Sequence, residues 1–290
     1  MNGIFSLTHR LILLIFIAFC PFLSIHAQTA SDIIEAGAVP KVFLQDGVSV
    51  PNNESVPSFS PDGNTVYFAD NYRISISKWV NGKWSHPLPI SFSSEWKDWD
   101  PALTMDGQRL IFVSNRPWTD HKTNHLWYVD RMTDGSWSAP VHLDGPINAD
   151  GAPTYAPSIS AKGTICFCSR DREGNKGMRG YMSVWKDGHY QPPVLLRLNG
   201  DSEIYDPFIS PDERYIIFAS DKNLLISYRQ GDGWSAGQKL GSQVNNGGEN
   251  GSPYVSPDGK MLYYSTSTTD GIMMIPVHIP AASDKTWQSK

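Results

Sequence analysis

The chain has 290 residues, 40% hydrophobic and 18% charged, with a net charge of −5. That balance excludes a disordered chain, and the negative charge gives no electrostatic reason to expect nucleic acid as a partner. The 24 Gly, 21 Pro, 10 Trp, 12 Tyr and 12 Phe point to many short strands joined by tight turns, and exclude a long-helix or coiled-coil protein.

Residues 1–27 read as a secretory signal. Arg10 supplies the positive start, residues 11–25 are an apolar run broken by Pro21, and Ala27 is a small residue suited to cleavage before Gln28. The run is shorter than the ~20 residues that span a bilayer, which argues against a retained anchor. Cys20 raises lipidation as an alternative, but the bulky Phe19 before it fits that processing poorly. The expected product is exported, periplasmic or secreted, and monomeric. It comprises one domain over residues 28–282 and a polar tail over 283–290. Only Cys166 and Cys168 remain in it. At i and i+2 on one strand they read as two small buried groups, neither a disulfide nor a metal pair.

Residues 41–44 (Lys-Val-Phe-Leu) form a short apolar strand ahead of the first repeat. Five repeats follow: PSFSPDGNTVYFAD from Pro57, PALTMDGQRLIFVSN from Pro101, PSISAKGTICFCSR from Pro157, PFISPDERYIIFASD from Pro207 and PYVSPDGKMLYYST from Pro253. Their spacing of about fifty residues is that of a propeller blade. Each reads as four strands. Strand a is the short run after the proline, as at 58–60. A Pro-Asp-Gly turn leads to an apolar strand b, as at 65–69 and 110–114. Strand c covers 74–80, 125–132, 181–186, 224–229 and 272–279. A second tight turn opens strand d with a bulky ring, Trp84, Trp137, Tyr190 or Trp234, placed to wedge between blades. The fifth repeat has no strand d of its own, so residues 41–44 are expected to complete it and close the ring. The fold class is therefore an all-β propeller of four-stranded antiparallel blades. Five blades fit the length, and a six-bladed ring would need one badly degenerate unit.

Ser210-Pro211-Asp212 followed by an apolar strand ending in Phe218-Ala219-Ser220 resembles the TolB-like Pro-Asp propeller repeat. The likeness covers residues 41–280. Blade three departs from it with Ala161-Lys162-Gly163, and blade four has Glu213 in place of Gly. The resemblance implies a periplasmic protein that binds proteins or envelope components, and it brings no catalytic residues. The α/β domain that precedes the propeller in TolB has no counterpart here, so a role in the Tol system does not follow.

The two ends of such a propeller differ. The a–b and c–d turns are tight and repetitive, and their aspartates are turn formers. The b–c and d–a loops vary, and binding residues usually sit on such loops. Trp96, Trp99 and Trp118 are not needed for turn chemistry and suggest a stacking platform, unless they fold back onto the blade. With Asp100, Arg116, Tyr155, Arg170 and Tyr205 they form the candidate ligand-binding set. Acids recur before strand a: Glu54, Asp100, Glu203, Asp206 and Glu249. They are placed to ring the channel mouth, as general acid–base groups, as a calcium or other cation site, or as acids paired with Arg116 and Arg170. No cofactor is otherwise expected. The run 174–180 is glycine-rich and basic but precedes no helix, so it reads as a loop. His121 and His125 straddle a loop and a strand and do not make a metal pair.

The leading expectation is a non-enzymatic module that recognises a protein, peptide or glycan of the envelope. The alternative is a glycoside-cleaving enzyme built on two of the five acids.

Overall fold

The computed structural model describes residues 30–44, 57–92, 95–119, 123–148 and 151–280. The signal segment with Cys20, the acid Glu54 and the tail at 283–290 lie outside them.

The described residues form five four-stranded antiparallel blades. Blade one comprises Ser58–Phe59, Thr65–Asp70, Arg73–Val80 and Leu88–Pro89. Blade two comprises Asp98–Leu103, Arg109–Ser114, His125–Asp130 and Val141–His142. Blade three comprises Thr154–Ile159, Ile165–Arg170, Met178–Ser183 and Val194–Leu195. Blade four comprises Tyr205–Ile209, Tyr215–Ser220, Asn223–Gln230 and Gln238–Lys239. Blade five comprises Asn250–Val255, Met261–Thr266 and Thr269–Pro276, and its fourth strand is the N-terminal Lys41–Val42.

The ring therefore closes as the repeat predicts. Lys41 pairs with Met274 and Val42 with Met273. Phe43 then packs between blades five and one, with ring centroids 5.0 Å from Tyr263, 5.7 Å from Phe59 and 5.6 Å from Trp84.

The rings Trp84, Trp137, Tyr190 and Trp234 sit four residues ahead of strand d rather than opening it, and they pack against the preceding blade. Trp137 meets Tyr67 of blade one edge-on at 6.1 Å, and Tyr190 joins a cluster with Ile111 and Val113 of blade two. Trp234 packs with Cys166 of blade three.

The Pro-Asp-Gly turns close as their chemistry requires. In blade one, Asp62 accepts from the Asn64 amide at 3.0 Å and from the Ser60 hydroxyl at 2.5 Å. The two departures from the repeat turn out to be one interaction. Blade three lacks the aspartate, and its Ser160 hydroxyl instead donates 2.8 Å to Glu213 of blade four. Lys162 adds an ion pair to the same carboxylate at 3.2 Å. Glu213 occupies the glycine position at φ 61°.

Two expectations change. Strand a begins before the proline in blades two to five. The residue preceding each proline is left-handed: Asp100 (φ 49°), Ala156 (46°), Asp206 (48°) and Ser252 (51°). The pairing register shifts at each of these points, which marks a β-bulge. Second, the glycine-rich run 174–180 is not all loop, because strand c of blade three starts at Met178. Gly180 lies there under Ile204, whose Cγ2 would sit 2.8 Å from an added Cβ.

Candidate functional site

The bulges stitch the inner strands to one another around the channel. Asp100 Oδ2 accepts from the Ala156 amide of the next blade at 3.1 Å. Asp206 Oδ2 accepts from the Ser252 amide of the next blade at 2.8 Å. In the alternate gaps serine hydroxyls take this part. Ser58 Oγ accepts from Leu103 N at 2.9 Å, and Ser158 Oγ accepts from Ile209 N at 3.0 Å. Removing such an acceptor strands a buried amide, which costs about 1–3 kcal/mol. Asp206→Ala is therefore expected to destabilise the protein by about that much, and Asp206→Asn, which keeps an acceptor oxygen, by much less. Urea denaturation of the two variants checks this.

Below the bulges the channel is almost filled. A cavity of only about 40 Å³ remains at the a–b end, walled by Pro101, Pro157, Pro207 and Pro253. On the b–c/d–a face the channel opens into a cavity of about 900 Å³. This lies near the upper end of the ~300–1,000 Å³ range of small-molecule sites.

The large cavity gathers much of the candidate set. Trp99, Asp100, Tyr155, Glu203, Tyr205, Asp206 and Glu249 all line it. Trp99 stands 6.5 Å from Tyr155 at an interplanar angle of 36°. Asn124 Nδ2 donates 3.1 Å to the Tyr155 hydroxyl and fixes that ring. Glu203 Oε1 accepts from Met178 N at 2.8 Å, and Oε2 accepts from the Tyr205 hydroxyl. Gly177 leaves room for this carboxylate, since a Cβ there would come within 2.5 Å of Oε1. The Tyr205 hydroxyl, then the Met178 amide, hold the Glu203 carboxyl below its ordinary value. The Lys222 ammonium, 2.8 Å away, does the same for Glu249.

Other candidates lie elsewhere. Arg116 is 8% exposed and forms a two-pronged pair with the fully buried Asp98. Trp118 folds back onto blade two and stacks on His142 at 4.1 Å and 9°. Trp96 is partly exposed and is not in the cavity wall. Arg170 stays outside that wall too, yet its charge acts on Glu203 and Tyr205. Among the described residues, no group of three or more His, Cys, Asp or Glu is placed to hold a metal ion. Cys166 and Cys168 are free and buried, and burial pushes both thiols up.

Two lining residues, Tyr72 and Lys222, come from tight b–c hairpins rather than from long loops. Asn71-Tyr72 and Asp221-Lys222 each have both central residues at positive φ. That is the geometry of the turn which matches strand twist. Tyr72 meets Trp99 edge-on at 5.6 Å and 83°, and Lys97 Nζ lies 4.4 Å over its ring. The sequence signal was an Asx residue opening a two-residue turn.

No protein-family model matches the sequence, and no curated protein matches it. Among solved structures, the chain is similar to a protein of Agrobacterium tumefaciens assigned as TolB, at 16% identity and a TM-score of 0.53 over 73% of this chain and 69% of that one. It is also similar to an endo-arabinase from Bacteroides thetaiotaomicron, at 15% identity and 0.56 over 81% and 99%. A thermostable family-43 glycoside hydrolase is similar at 13% identity and 0.57 over 83% and 97%. At these identities the shared feature is the propeller fold, which hosts unrelated functions.

Proposed function

We propose that the chain is an exported binding module that takes a protein, peptide or glycan of the cell envelope in the channel-mouth cavity. One observation carries this reading over the glycosidase alternative: the four described candidate acids, Asp100, Glu203, Asp206 and Glu249, are held as acceptors. A glycosidase acid needs a raised pKa and a partner carboxylate ~5–9.5 Å away. Glu203 and Glu249 are instead lowered by Tyr205 and Lys222. Asp100 and Asp206 each accept from a backbone amide of the neighbouring blade. The fold shared with arabinan- and glycoside-cleaving enzymes is what favours the alternative.

The test has two arms. Wild-type protein incubated with arabinan, xylan and chromogenic glycosides should release no product. Trp99→Ala should weaken ligand capture from an envelope extract about tenfold or more, the loss of a central aromatic contact. Turnover by the wild type that Glu203→Gln abolishes would overturn the module reading.

A further inference from the structure

The ligand chemistry follows from three features of the cavity. The first is its cluster of aromatic rings. Trp99 and Tyr155 present tilted faces, and Tyr72 stands at right angles to Trp99. Such rings stack on the C–H face of a sugar ring and gain area at low conformational cost.

The second is the surplus of acceptors. Asp100, Glu203, Asp206, Asp221 and Glu249 line the cavity, against Lys222 among the described wall residues and Lys97 over the Tyr72 ring. A carboxylate oxygen has two lone pairs. Glu203 uses one on each oxygen, for Met178 N and the Tyr205 hydroxyl. It therefore keeps acceptor capacity for hydroxyl donors. Anionic ligands meet like charge here. The acids are also partly compensated: Lys222 pairs with Glu249, and Arg170 acts on Glu203. The site thus offers fixed hydrogen-bond acceptors more than a deep trap for cations. A neutral ligand rich in hydroxyl donors fits both conditions.

The third is strain. Tyr72 sits at φ 59°, a region that bulky side chains avoid and that is held only where the surroundings over-determine it. A glycine would fit that backbone better. The tyrosine ring is kept at the cavity lip despite the conformation it must adopt.

We infer that the cavity binds a neutral oligosaccharide, one ring seated against Trp99 and Tyr72 and its hydroxyls donating to Glu203 and Glu249. This rests on the binding-module reading and names its ligand class. The volume of about 900 Å³ gives room for more than one ring.

The experiment uses the full exported chain on an array of neutral and uronate-containing oligosaccharides, with hexalysine as a cationic probe. The expected result is binding to neutral oligosaccharides and not to uronates. Tyr72→Gly should weaken that binding about tenfold while the melting temperature holds or rises. A merely structural tyrosine would lower the melting temperature or leave binding unchanged, and either result overturns the role given to Tyr72. Preference for uronates, or no neutral glycan bound, overturns the sugar assignment. Hexalysine binding that Trp99→Ala abolishes also overturns it but leaves the binding module standing. Turnover of a bound neutral glycan does the reverse, removing the module reading and keeping the ligand class.

Discussion

Replacing Phe43 by alanine is expected to lower the unfolding free energy by about 3–5 kcal/mol, the usual range for a buried phenylalanine. Phe43 is 5% exposed. It is the point at which the N-terminal strand of blade five touches blade one, through Tyr263, Phe59 and Trp84. Two backbone features position it. Lys41 and Val42 pair with Met274 and Met273, and the Phe43 amide donates 2.7 Å to Ile272 O. Alanine keeps these bonds and empties the aromatic cluster, so the cost is a cavity between the first and last blades. The strand itself matters more than the side chain. A chain starting beyond residue 44 leaves the edge of Thr269–Pro276 unpaired, and an uncovered edge invites association with another chain. That variant should elute as larger species than the parent on size exclusion, whereas Phe43→Ala should elute with the parent and show a lower urea midpoint. A truncated chain that elutes with the parent and is as stable would show that the ring does not depend on its closing strand.

This closure was legible in the sequence for a simple reason. A propeller repeat has four strands, the fifth copy lacked one, and residues 41–44 matched the missing piece. The blades were legible because a short turn built from Pro, Asp or Gly, complete as Pro-Asp-Gly in blades one and five, recurs ahead of each apolar strand b. The inner strands were harder. The acids before the prolines read as loop acids, yet Asp100 and Asp206 lie inside strand a, at bulges where their carboxylates bridge to the next blade. Nothing in the run Trp99-Asp100-Pro101 announces a left-handed residue, because aspartate before proline also opens ordinary turns. The site was half legible. Aromatics that no turn required led to Trp99 but also to Trp118, which stacks on His142 instead. The partner of Trp118 is a strand d residue of the same blade, and that adjacency exists only once His125–Asp130 and Val141–His142 are paired. Tyr72 does not stand out by loop length, because it sits in a two-residue turn.

Arg116 shows the same limit and leads to the other large effect. Arg116 reads as a candidate binding residue on a variable loop, yet its guanidinium is buried. Its partner becomes visible only when Asp98 is paired with Ser114 across strands a and b. Arg116 Nη2 then donates 2.9 Å to Asp98 Oδ2, and Nη1 donates to Oδ1 and to Ser114 Oγ. Burial raises the Asp98 carboxyl, and the bonds and charge of Arg116 only partly offset it. The pair therefore balances a large desolvation cost rather than adding much net stability. Breaking it is a different matter. Arg116→Ala leaves a buried carboxylate alone with Ser114, and such a loss costs about 3–5 kcal/mol. Asp98→Leu with Arg116→Met removes both charges and should recover most of the loss. The pH dependence has a definite sign. An acid whose folded pKa lies above its unfolded value of about 3.9 favours folding below that value, and the benefit fades as pH rises through the folded pKa. The gap between Arg116→Ala and the parent should therefore be widest near pH 7 and shrink as Asp98 takes up a proton toward about pH 4. Urea titrations of the parent, the single variant and the double variant at the two pH values measure this. A single variant as stable as the parent at pH 7 would mean that Asp98 finds another cation or takes a proton at little cost.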